Sequence, residues 1–330
     1  MDFKFGALQS PPDYRDYLYR AIFSAEKLPA KFSRRSEMGP VRNQGKFGSC
    51  VGFAAAGVKD NQESRDEGKQ VVTSPLYLYK RCKEQDGIPE QEGTYPRTVM
   101  AVLKNLGVCP ESDFPYDKMA WPTMPAIPAG ADAAAAGYKI GAYARITMID
   151  EVKQAIVKDG PVLGAVLVCD SFVDAKNGII PMPGTTDDPE DSIRGGHAIA
   201  VIGYDDNMRA NGLTGYFEIR NSWGPEWGNG GYGWIPYSYF TRVTANFGQP
   251  YWMESWSSVD IVTPNPAAKE GYLWIGKDYA LIDGKEVKLD VAPFIDPAPG
   301  RTMVPLRFLV EHFGYNVEWS ESLQQIHFWK

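Results

Sequence analysis

From Pro161 onward the chain is cut into short apolar runs punctuated by glycine: PVLGAVLVC, HAIAVIGYDD, GYFEIRNSWG and GGYGWIPYSYF. Runs of this length, rich in Val, Ile, Tyr and Phe, fit strands joined by turns and predict an antiparallel sheet or a partly open barrel. The first half reads differently. Residues 49–66, SCVGFAAAGVKDNQESRD, are expected as a helix with Ser49 at the N-cap and alanines in the first turns. Residues 96–106, PRTVMAVLKNL, form a second, opened by proline and closed by Gly107, and 150–160, DEVKQAIVKDG, a third with Val152, Ile156 and Val157 on one face. The patch AGADAAAAG at 129–137 reads as loop. Helices followed by strands give an α+β class with two unlike halves, and the cleft between such halves is where a site is expected.

Prolines and small residues in TPNPAAKEG, 263–271, stop the β pattern. The expected organisation is an amino-terminal extension over 1–27, a main domain over 28–262, a linker over 263–270 and a small α+β domain over 271–330. In the last, LWIGKDYALIDGKEVKLD predicts a hairpin with Asp283-Gly284 at its tip, VPLRFLVEHFG a short helix ending at Gly314, and YNVEWSESLQQIHFWK a strand pair. A net charge of −7 without a Lys/Arg cluster argues against nucleic acid as partner. No run of eighteen apolar residues is present to span a membrane. Four cysteines, Cys50, Cys82, Cys109 and Cys169, without paired spacing, argue against a disulfide scaffold or a structural zinc, though spacing leaves a Cys82–Cys109 bridge open. The first residues lack the pattern of a secretory signal, which fits a cytoplasmic chain or one whose leader is absent.

Cysteine attacks carbonyl carbon as thiolate, and the first turn of a helix, where Cys50 is expected, favours the negative charge. Taken singly, Cys50 beside alanines reads as core packing and Gln44 as a solvated loop residue. His197 changes the balance: it follows a diglycine and opens a strand in RGGHAIAVIGYDD, whereas His312 and His327 read as surface and strand positions in the appendage. An imidazole beside a thiol can take its proton and later protonate a leaving amine. Asn221 in RNSWG is the candidate to orient that ring, with Trp223 to shield the bond. Gln44, six residues before Cys50, can add its amide to the Cys50 N–H as an oxyanion donor.

Together PVRNQGKFGSC, GGHAIAVIGY and RNSWGPEWGNGGYGWI resemble the papain (cathepsin-like) family of cysteine peptidases, a likeness running over roughly 28–260. The resemblance implies a helical left lobe, an antiparallel β-barrel-like right lobe and a site in the cleft. It makes Cys50 the nucleophile, His197 the general base and acid, Asn221 the orienter and Gln44 the oxyanion donor. EGTYPRTVM at 92–100 resembles the family's cleft-lining Gly-Gly-Tyr-Pro stretch. This implies Gly93 and Thr94 as backbone partners of an extended substrate, Tyr95 and Pro96 as pocket wall, Gly196 facing the same pocket and Trp223 beside it. The implied activity is endopeptidase cleavage through an acyl-enzyme. The alternatives are acyl or γ-glutamyl transfer by the same chemistry, or a silent papain-fold binding protein. Three departures stand out: Phe47 replaces the first cysteine of the family's Cys-Gly-Ser-Cys-Trp motif, normally tied by a disulfide; Val51 replaces its tryptophan; and the His197–Asn221 interval is long.

Residues 1–27 are shorter than the usual inhibitory prosegment; they are expected either as a tether along the back of the fold or with QSPPDYRDYLY in or near the cleft, restraining activity. IDGKEV, APFID, RTMVPLRFLVEHFG and VEWSESLQQI resemble the stalk-like domain named after the amino terminus of copper amine oxidase, which recurs in bacterial surface proteins. That likeness implies a spacing or adhesive role towards cell wall or a protein partner. It favours a secreted or cell-surface location over the cytoplasm. No copper is expected, since the segment has no cysteine and its two histidines lack ligand spacing. No cofactor is expected either, and the expected partner is a peptide or protein substrate.

Overall fold

The computed structural model describes residues 4–19, 27–183, 192–244, 248, 250–260, 271–273, 275–282, 285–296, 301–306, 308, 311, 316–320 and 325–329. The chain divides into two compact units, Met1–Ile261 and Val262–Lys330.

In the first unit the elements follow as β1 (Lys31–Ser33), α1 (Cys50–Glu67), α2 (Pro75–Lys83), α3 (Pro96–Asn105), α4 (Ala131–Ala135), β2 (Ile140–Ile146), α5 (Ile149–Lys158), β3 (Val162–Cys169) and α6 (Asp170–Val173). They continue as β4 (Ile193–Ala210), β5 (Leu213–Arg220), β6 (Tyr232–Pro236), α7 (Ser238–Thr241) and β7 (Trp252–Asp260). The strands form one antiparallel sheet in the order β2-β7-β3-β4-β5-β6, with β1 on the far part of β4. Among the described residues the two ends of this order do not pair with each other, so the sheet is open.

β3 lies at the centre of the sheet, and every residue along it is buried. Its alternate side chains serve two cores, which is why its sequence is continuously apolar rather than alternating. Leu163 and Ala165 join Ala198, Ala200 and Trp256 in the core shared with the helices. Val162, Val166 and Val168 join Ile199, Val201, Ile219 and Trp252 on the other face.

α1 is buried from Cys50 to Gln62 and packs between the other helices and β4. A helix enclosed on all sides needs small residues rather than one apolar stripe. A Cβ at Gly52 would come within 2.7 Å of Pro75 O, and one at Gly57 within 2.6 Å of Arg220 Nη1. Gly68 ends the helix at φ +65°. α2 was not anticipated, although its signal is present: Ser74 accepts the Tyr77 N–H at 3.0 Å and Pro75 takes the first helical position. α4 is a short turn of helix where a loop was expected.

In the second unit β8 (Gly271–Leu273), β9 (Tyr279–Ile282) and β10 (Lys285–Lys288) form a three-stranded antiparallel sheet. β11 (Phe294–Asp296) pairs with β12 (Arg301–Met303), and β13 (Asn316–Ser320) with β14 (Gln325–Trp329). Ala280, Leu289 and Phe308 form its core with Leu273 and Val287. The Asp283-Gly284 tip, residues 263–270, His312 and Gly314 lie outside the described residues.

Candidate active site

Cys50 begins α1. Ser49 takes the N-cap position but makes no side-chain bond to the helix amides; its hydroxyl pairs with the Tyr116 hydroxyl at 2.6 Å instead. The amides at this end are thus left for the thiol, whose sulfur faces the N–H groups of Val51 and of Ala198 on β4. These favour a thiolate. Burial opposes them and wins: Cys50 is fully enclosed, and its thiol is pushed up to about 11, the reverse of the lowering a helix terminus alone implies.

Ala198 also brings in its neighbour His197. Nε2 of His197 lies 2.7 Å from Oδ1 of Asn221, the residue after β5. That oxygen accepts the Ser222 N–H at 2.7 Å as well, which identifies it as the amide oxygen. Nε2 therefore carries the hydrogen and Nδ1 presents a lone pair, buried and without a hydrogen-bond partner. Trp223 tilts over the ring with centroids 4.5 Å apart, and Phe172 meets it edge-on at 6.4 Å. Enclosure brings His197 down to about 4, so ring and thiol are both uncharged at neutral pH.

The Gln44 amide is oriented by Ser222, whose hydroxyl donates to Oε1 at 2.7 Å. Nε2 then points at Phe47 O, 2.8 Å, and Lys4 O, 3.1 Å. Lys4 belongs to an amino-terminal strap that fills the cleft. Thr94 N–H donates to Gly6 O at 2.9 Å, Leu8 N–H to Thr94 O at 3.0 Å, and Ala7 N–H to Gly196 O at 3.0 Å. Phe5 packs against His197 and Trp223 with ring centroids 6.4 and 6.0 Å apart. The Gly6 N–H faces the Cys50 sulfur, whereas the carbonyl held by Gln44 is that of Lys4. Attack requires one carbonyl to meet both sulfur and oxyanion donor.

Beyond Leu8 the strap is clamped. Ser10 N–H donates to Glu254 Oε1 at 2.7 Å, Arg97 holds Asp16 through two bonds of 2.8 and 2.6 Å, and the Tyr19 hydroxyl donates to Asp159 at 2.8 Å. QSPPDYRDYLY forms this clamp, and it is residues 4–8 before it, rather than QSPPDYRDYLY itself, that pair with Gln44, Thr94 and Gly196.

Gly93 and Thr94 were expected to share the pairing edge. Only Thr94 turns both backbone groups to the strap. Gly93 turns inward, its N–H to the Tyr79 hydroxyl at 2.9 Å and its carbonyl to Lys83 Nζ at 2.9 Å. Its contribution at the cleft is steric, since a Cβ there would lie 2.7 Å from Gly6 O. Tyr95 and Pro96 begin α3, where Tyr95 O accepts the N–H groups of Thr98 and Val99. The Gly196 carbonyl accepts the Ala7 N–H of the strap. Ser222, Tyr116 and Phe172 also line this arrangement, and of these only Ser222, adjacent to Asn221, has a signal in the sequence.

Among the described residues no group of three or more His, Cys, Asp or Glu could hold a metal ion. None of the four buried cysteines forms a disulfide, so Cys82 and Cys109 are not bridged.

The Papain family cysteine protease domain matches residues 28–244, and the Copper amine oxidase N-terminal domain matches 252–328. An uncharacterized peptidase C1-like protein of Acanthamoeba polyphaga mimivirus is 28% identical over 284 residues, 76% of this chain and 86% of its own length. Cathepsin J of Mus musculus is 32% identical over 201 residues, 58% of this chain and 55% of the cathepsin. Xylellain, a cysteine protease from Xylella fastidiosa, superposes with a TM-score of 0.63 at 28% identity, over 78% of this chain and 96% of xylellain.

Proposed function

Because the chain belongs to the papain family of cysteine proteases and is a cysteine peptidase, we propose that it is an endopeptidase held latent by its own strap. Cys50, His197 and Asn221 would carry the reaction once residues 4–8 leave the cleft. Water entering the vacated cleft relaxes the burial that holds the thiol up and the imidazole down. The thiol proton then passes to His197 Nδ1, and the thiolate is supported by the Val51 and Ala198 N–H groups. Sulfur attacks the carbonyl carbon of an extended peptide paired along Thr94, and the oxyanion forms against Gln44 Nε2 and the Cys50 N–H. His197 returns its proton to the leaving amine, giving a thioester. A water deprotonated by Nδ1 hydrolyses that thioester and restores the thiol.

The observation that carries this reading is the Nε2–Asn221 bond of 2.7 Å, which leaves Nδ1 as the ring's lone pair, buried and without a hydrogen-bond partner. The match of residues 252–328 supports a spacer role for the second unit, holding the peptidase at a cell wall or a protein partner on the outside of a bacterial cell. The test is to incubate the full chain, a variant lacking residues 1–27, and that variant with Cys50→Ala with a pool of unstructured peptides, and to map cuts by mass spectrometry. Internal cuts should come fastest from the strapless variant and vanish with Cys50→Ala. Amine exchange without net hydrolysis would make the protein a transferase instead, and cleavage that survives Cys50→Ala would remove the assignment.

A further inference from the structure

Lys83 and Asp86 form an ion pair of 2.8 Å with side chains 3% and 0% exposed, and the proposed reaction uses neither. A buried pair is a poor source of net stability, since desolvation offsets most of its attraction. What this pair touches gives it a different meaning. Lys83 Nζ also donates to Ile88 O at 2.8 Å and Gly93 O at 2.9 Å, while Asp86 Oδ2 accepts the Thr94 hydroxyl at 2.9 Å. Tyr79, one turn before Lys83 on α2, takes the Gly93 N–H at 2.9 Å. Both backbone groups of Gly93 are thereby fixed on the inner side, and both backbone groups of Thr94 are left facing the cleft. Glu92 adds a tie to the nucleophile loop, its Oε1 accepting the Gly48 N–H at 2.7 Å. No covalent tie does this work: position 47 is phenylalanine, and none of the four cysteines forms a disulfide.

We infer that the Lys83–Asp86 pair positions Thr94, setting the register and reach of the edge against which an extended peptide backbone pairs. The pair acts through Thr94 and does not meet the reacting atoms. Misplacing a pairing edge by a fraction of an ångström weakens capture of the peptide while leaving the chemical groups intact. The inference rests on the peptidase reading for its kinetic consequence, and the strap gives it a readout independent of catalysis.

The kinetic test uses the full chain carrying Gly6→Ala, whose Cβ would fall 1.8 Å from Gly48 O and unseat the strap. Adding Lys83→Met with Asp86→Asn removes both charges at nearly constant volume. KM for a peptide substrate should rise about tenfold, the equivalent of about 1.4 kcal/mol, with kcat and the rate of Cys50 alkylation by iodoacetamide within about twofold. An unchanged KM in a folded double variant overturns the inference, as does a parallel fall in kcat and alkylation, which would mark general collapse. Should the double variant fail to fold, Thr94→Val removes only the hydroxyl bonded to Asp86; about a threefold rise in KM is then expected, and none overturns the inference. If the parent cleaves no peptide, the peptidase reading fails by itself. The edge is then read in the otherwise unmodified chain, where Lys83→Met with Asp86→Asn should speed Cys50 alkylation about tenfold as the strap loses its partner. An unchanged rate there overturns the inference.

Discussion

Cys50 and His197 are both held away from the charge states that the proposed reaction needs. His197 sits at about 4, below its ordinary 6.5, because burial disfavours the imidazolium. An opened or unfolded chain binds this proton between those two values and the closed chain does not. The closed form therefore loses stability as pH falls from about 6.5 to about 4, by at most about 3 kcal/mol. Cys50 mirrors this: raised from 9.0 to about 11, it lets the open form ionise first, so the closed form weakens as pH rises through that interval. Urea midpoints of wild type and His197→Gln between pH 7 and 4.5 isolate the imidazole. Wild type should lose stability relative to the variant towards acid, and parallel curves would refute the burial argument. The candidate residues were legible because attack, proton transfer and oxyanion binding each demand a residue type, and Gln44, Cys50, His197 and Asn221 offer those types in order. The direction of the thiol shift was not, because it depends on enclosure by a distant segment. Nor was the inward turn of Gly93, which Tyr79 and Lys83 on an unanticipated helix impose.

The strap is held by backbone fit as much as by side chains. At Gly6 an added Cβ would meet Gly48 O at 1.8 Å, and a carbonyl at the entrance to α1 cannot give way as a flexible side chain does. Gly6→Ala in the full chain should expel residues 4–8 and raise the rate of Cys50 alkylation by iodoacetamide about a hundredfold, with Tm nearly unchanged. A rate equal to wild type would show that something other than the strap covers the thiol. Elements with strong local signals are legible in the sequence. α1, α3 and α5 announced themselves by caps, helical proline and apolar spacing, and the strands after Pro161 by their glycine-bounded runs. The strap had no such signal: KFGAL has neither period nor turn chemistry, and its place is fixed by Thr94, Gly196 and Gln44, far away in the chain.

Similarity to the copper amine oxidase N-terminal domain begins at residue 252, the first residue of β7, yet β7 belongs physically to the peptidase sheet. It runs between β2 and β3, pairing with both, and the compact units divide only after Ile261. Trp252 and Trp256 of this strand, 4% and 0% exposed, fill the two cores on opposite faces of the sheet, and Glu254 between them clamps Ser10. A cut placed by similarity would therefore remove an interior strand, both tryptophans and one hold on the strap. Each buried tryptophan is worth several kcal/mol, about 3–5 for truncation to alanine, which together approach the whole stability of a domain. A chain ending at residue 261 should melt cooperatively and keep Cys50 shielded from iodoacetamide, whereas one ending at 251 should show no cooperative transition and react at the rate of a free thiol. Cooperative melting of the shorter chain would assign β7 to the second unit and detach the clamp at Glu254 from the peptidase fold.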